Sequence, residues 1–160
     1  MSRNRRTVAI LLAVALSVIA LPGRADGPFQ FHSLTPCRIV DTRKPNQIVG
    51  EYGPVLTSNV ERKFPVQGNC NVPVGAKAAT LNVTAVSPTN QGRFTLYPSG
   101  IATPTVSTIN FPPGTTALAN GAIVPLAVQS MAEPNDLAVM PFVVGGGQVH
   151  LVLDVTGYFE

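Results

Sequence analysis

Tryptophan is absent from the sequence, and only 6% of its residues are aromatic. A sugar-binding surface built on indole rings is therefore excluded, and the rings left to stack on a ligand are Tyr52, Tyr97 and Tyr158. Histidine occurs twice, at His32 and His150. Catalysis requires a nucleophile, a base and a stabilising group to converge. His150 and Asp154 alternate on one strand face, but residues four apart on a strand are separated by about 13 Å. No G-x-S-x-G is present, and Asp41 with Asp154 would be an unsupported carboxylate pair for a hydrolase. The expectation is a protein that is not an enzyme and carries no cofactor.

Cysteine also occurs only twice, at Cys37 and Cys70, with no C-x-x-C. Two thiols do not make a zinc site. Glu133, Asn135 and Asp136 could approach a calcium ion, but three oxygen-bearing residues in a loop read more simply as a solvated turn, so no metal is expected. Charged residues make up 12% of the chain and hydrophobic ones 45%, which excludes a disordered protein.

The start of the chain has the grammar of a secretory signal peptide. Arg3, Arg5 and Arg6 precede Val8–Leu21, an apolar run broken only by Ser17, and Gly23-Arg24-Ala25 offers a cleavage site. That run spans about 21 Å as a helix, short of a bilayer core of roughly 30 Å. Residues 1–25 are read as a signal peptide, 26–33 as a lead-in segment and 34–160 as one domain, with no transmembrane anchor after cleavage. Arg5-Arg6 lacks the flanking residues of a twin-arginine signal, so general secretion is the expected route. The formal charge of +3 belongs to the precursor. Beyond Ala25 there are seven bases against eight acids, leaving −1, so a nucleic-acid partner is not expected. Export into an oxidising compartment would join Cys37 to Cys70.

Alternation of apolar and polar residues marks strands at Ala79–Val86, Arg93–Tyr97, Ser107–Phe111, Ala119–Val128, Leu137–Val144 and Gln148–Phe159. Ser87–Gly92 reads as a turn with 93–97 returning, and Gly145-Gly146-Gly147 as a tight turn. Pro125 and Pro141 are read as blocks on edge pairing. No helical period is sustained. The expected fold is an all-β single sandwich, jelly-roll or Ig-like. Arg38, Asp41 and Arg43 near one end and Asp154 near the other are read as a structural polar clasp between neighbouring first and last strands. Asn82-Val83-Thr84 is a sequon, read as an outward strand face.

Arg38-Ile39-Val40-Asp41-Thr42-Arg43, Leu81-Asn82-Val83-Thr84-Ala85-Val86 and Asp154-Val155-Thr156-Gly157-Tyr158-Phe159 occur in an order that resembles a family of secreted bacterial β-domains, found in actinobacteria and other soil bacteria. Intervening islands, among them Tyr97-Pro98-Ser99-Gly100 and Ile123-Val124-Pro125-Leu126, extend the likeness over about Leu34 to Phe159, and both cysteines fall within it. The resemblance implies a non-catalytic extracellular module, single, repeated or appended to surface enzymes. Function is then expected through binding or assembly at the cell envelope. A carbohydrate- or peptidoglycan-binding module is the alternative and a hydrolase the third reading. The expected partners are a cell-wall glycan or a surface protein.

Overall fold

Residues 27–131 and 133–160 are described by a computed structural model. The signal peptide read at 1–25, and Asp26 of the lead-in, lie outside the described residues. Nine strands and no helix form among the described residues: β1 Phe31–Asp41, β2 Leu56–Thr57, β3 Arg62–Phe64, β4 Ala78–Val86, β5 Gly92–Pro98, β6 Ile109–Phe111, β7 Ala117–Pro125, β8 Leu137–Val143 and β9 Gln148–Phe159. They make two sheets, and every pairing is antiparallel. The first runs β1-β9-β4-β7, with β2 also on β9; the second runs β3-β8-β5-β6. Among the described residues no helix is long and apolar enough to cross a membrane.

Period-two patterning sets the inward face. Ala79, Leu81, Val83 and Ala85 of β4 and Val149, Leu151, Leu153 and Val155 of β9 are buried. They share one apolar core with Phe64, Phe94, Phe111, Leu137 and Val139 of the second sheet. Burying such side chains contributes roughly 1.5–3 kcal/mol each for the larger ones.

The hairpin expected across Ser87–Gly92 does not form. β4 pairs with β7 and β9, while β5 pairs with β6 and β8. The Gly145–Gly147 turn likewise passes from β8 in one sheet to β9 in the other. Alternation shows that a strand buries one face, but it is equally satisfied by a neighbour in the sheet or by a strand opposite. The lead-in is shorter than expected, because Phe31, His32 and Ser33 pair with Phe159, Tyr158 and Gly157. Pro141 blocks no edge: β8 lies between β3 and β5. Its carbonyl accepts from the Asn59 N–H, past the end of β3, so the missing donor faces away from β5 and no ladder bond is lost.

β5 departs from simple alternation. Phe94 and Leu96 point to the core, yet Thr95 and Tyr97 are buried as well. The segment 99–108 folds over their side, where the Thr95 hydroxyl donates to the Val106 carbonyl and the Tyr97 hydroxyl meets Glu61 and Thr103.

Cys37 in β1 is disulfide-bonded to Cys70, 33 residues on, with a Cα–Cα distance of 5.8 Å. Cys70 sits in the turn between β3 and β4, so the bond fastens an edge strand to a loop that no sheet contact secures. Closing a loop of this length stabilises the fold by about 3.8 kcal/mol in the chain-entropy account. Replacing both cysteines by serine is expected to lower stability by about 2–4 kcal/mol in urea unfolding, with the far-ultraviolet β spectrum retained.

Candidate functional site

Pairing of β1 with β9 sets Arg38 opposite Asp154. Arg38 Nε and Nη2 donate to the two Asp154 oxygens at 2.8 and 3.1 Å. Asp41, almost wholly buried, accepts from Arg43 Nε and Nη2 at 2.8 and 2.7 Å and from the Arg43 N–H at 3.1 Å. Arg38 Nη1 lies 3.7 Å from Asp41, which joins the four groups into one chain of alternating charge. The Arg43 hydrogen bonds outweigh burial and hold the Asp41 carboxyl below its ordinary value of 3.8. The donors and acceptors of this cluster are directed at each other, which makes it a brace between strands.

Each of the three tyrosines is engaged by neighbours within the fold. Tyr97 is buried. Tyr52 packs edge-on against Phe64 at 5.7 Å, and burial pushes its hydroxyl above the ordinary tyrosine value. Tyr158 is half-buried beneath His32, whose ring is stacked on it at 5.0 Å. Beside them the Phe31 ring lies over Gly157, where a Cβ would come within 2.5 Å of it, so the glycine of the terminal motif is a close-approach position. His150 Nδ1 meets the Thr42 hydroxyl at 3.2 Å, and that hydroxyl accepts from the Leu151 N–H. The two histidines thus belong to separate structural contacts.

Asp136 is not part of a solvated turn. It is fully buried, and its oxygens accept from the Val66 and Gln67 N–H groups at 2.8 and 2.7 Å and from Gln129 Nε2 at 3.2 Å. Its own carbonyl accepts from Ser99 and Ala127. Burial pushes its carboxyl above the usual value while these bonds pull it back. Glu133 is paired with Lys63 at 2.6 Å, and the Asn135 carbonyl accepts from Ser99 Oγ. Asp136 therefore ties the chain after β3 to the segment following β7 through its carboxylate, and to the segment following β5 through its carbonyl, a role that the sequence signals only as an acid beside a loop.

A candidate surface for a ligand lies elsewhere, on the outer side of the second sheet. Two adjoining depressions of about 370 and 630 Å³ share Arg93 of β5, Asn110 of β6 and Phe142 of β8. The Arg93 guanidinium lies 4.5 Å from the Phe142 ring centroid. Arg93 is the one charged residue in the sequence between Lys77 and Glu133. Among the described residues no carboxylate lies within 4.0 Å of it. Met140 floors the larger depression, and Asn59, Thr105 and Ser107 edge it. Asn110 Nδ2 donates to Ser107 Oγ at 3.0 Å, which aligns that amide along the rim. Arg93, Asn110 and Phe142 stand far apart in the chain and form no motif, so no sequence pattern marks this surface.

Two outcomes test these assignments. Asp136→Ala leaves two buried N–H groups without acceptors and is expected to cost about 3 kcal/mol or more, whereas Glu133→Ala costs under about 1 kcal/mol; urea unfolding of both variants measures the contrast. Asp41→Asn is expected to cost about 2 kcal/mol at neutral pH. Because the folded carboxyl titrates below 3.8, that difference is full above about pH 4 and closes as the pH falls through the folded value, which thermal melts across acid pH will show. No family model and no curated protein matches the chain.

Proposed function

We propose that the chain is a secreted, non-catalytic β-sandwich module that acts by binding at the cell envelope, with a cell-wall glycan as its ligand and the Arg93–Phe142 groove as its site. The groove is the observation that carries this reading. A guanidinium 4.5 Å from the centre of a phenyl ring sets planar donors beside apolar surface, and the surrounding amides and hydroxyls offer both donors and acceptors. A pyranose has the matching surface: C–H faces for Phe142 and Met140, hydroxyls for Asn59, Asn110 and Ser107. A sugar or stem-peptide carboxylate, as in peptidoglycan, would meet Arg93 in a two-pronged contact.

The leader-like residues 1–25 and the Cys37–Cys70 bond support export. The likeness of the terminal and central motifs to secreted bacterial β-domains supports the same compartment. The strand orders β1-β9-β4-β7 and β3-β8-β5-β6, with most connections crossing between sheets, favour a jelly roll over an Ig-like sandwich. A hydrolase is the weaker reading, since both histidines and Asp154 are engaged in contacts between β1 or the residue after it and β9, and Asp41 is engaged by the neighbouring Arg43.

Incubation with insoluble peptidoglycan, chitin and cellulose tests the reading. Retention on peptidoglycan is expected, reduced about tenfold or more by Arg93→Ala with no change in melting temperature, a loss of about 1.4 kcal/mol of binding. Failure to bind any of the three, or full retention by Arg93→Ala, would reject the groove as a glycan site.

A further inference from the structure

We infer that the outer edge of β7 is a self-association surface, joining two copies of this chain edge to edge in an antiparallel pair. An edge strand presents unpaired N–H and C=O groups, and proteins ordinarily blunt such edges by shortness, charge, proline or bulges. The other edges in this fold are blunted. β3 and β6 have three residues each. β1 carries Arg38 and Asp41, contains Pro36 and is broken by two register shifts. β7 has none of these along most of its length. Its nine residues Ala117–Pro125 pair with β4 without a shift, contain no charge, and have their one proline at the last position.

The ladder shows which groups are open. The Leu126 N–H donates to the Lys77 carbonyl, and the Ser87 N–H donates to the Thr116 carbonyl. Both contacts continue the β4–β7 register, so the alternate residues Ala117, Ala119, Gly121, Ile123 and Pro125 direct their backbone groups away from β4. All five are exposed, and among the described residues no strand pairs with this edge. Pro125 lacks a donor only at the end of the row, where it leaves the remaining positions usable.

A second copy fits this edge better than a charged partner strand. A two-fold axis at Gly121 sets Gly121 against Gly121, Ala119 against Ile123 and Ala117 against Pro125. Each outward donor then faces an outward carbonyl. The paired side chains are small or apolar, and no charge is repelled or left unpaired. From Phe94 to Ala132 the sequence has no charged residue, so β7 and the chain leading into and out of it bring no charge to the pair. The antiparallel arrangement uses both open edges and closes, which gives a dimer in place of a fibre.

Sedimentation velocity on the purified full chain provides the test. The expected result is a monomer–dimer equilibrium in the micromolar range. Gly121→Lys places two ammonium groups against each other at the axis. A Cβ at Gly121 meets nothing within 4 Å, so the variant should keep its fold and melting temperature while its dimer dissociation constant rises at least about tenfold. Mixing Gly121→Lys with Gly121→Asp should restore a heterodimer. A wild-type chain that stays monomeric, or association that Gly121→Lys leaves unchanged, would overturn the assignment.

Discussion

β9 is hydrogen-bonded along both sides, to β1 and β2 on one and to β4 on the other. Most of the other distinctive contacts follow from that placement. It sets Arg38 on Asp154, brings His32 over Tyr158 and Phe31 over Gly157, and lets the Thr42 hydroxyl take the Leu151 N–H. With β1 held there, Cys37 stands beside the turn that carries Cys70. The motifs at the two ends of the chain are therefore one structural unit. Their charged and aromatic residues act on each other across a strand pair, and little of their chemistry is left over for a ligand.

The degree to which this arrangement can be read in advance differs from strand to strand. β4 and β9 bury one face each, so Leu81, Val83, Leu151 and Leu153 declare themselves by alternation. β5 does not, because the segment 99–108 covers Thr95 and Tyr97 and removes the polar face that alternation relies on. The sheet partner of each strand is also hidden, since burial of an inward face is the same whether the next strand lies beside it or opposite. β2 and β3 are too short to show a period. Asp136 looks like a surface acid in a polar run, and only the fold reveals the two amides that it satisfies.

The candidate site was illegible for a related reason. A groove across a sheet takes alternate residues from strands remote in sequence, and Arg93, Asn110 and Phe142 are neighbours only through the β5–β6 and β5–β8 ladders. Exposed lone charge on an aromatic ring is the signal that separates this surface from the rest. Arg38 and Arg43 pair with carboxylates, and Arg62, which also lies over a ring, spends its donors on the Tyr52, Gly53 and Pro54 carbonyls, whereas the exposed Arg93 lies over Phe142 with no carboxylate within 4.0 Å among the described residues. The division of labour is spatial: the first sheet holds the chain ends together, and the second offers its outer side.

The isolation of Arg93 has a further consequence. It is the last lysine or arginine in the sequence, so a protease that cleaves after basic residues finds no susceptible bond anywhere beyond it. The Arg93–Phe94 bond itself runs through β5 between two partner strands, where a protease cannot draw the backbone into an extended fit without first opening the sheet. The half of the chain that builds β6 to β9 thus resists tryptic digestion by composition and by folding together.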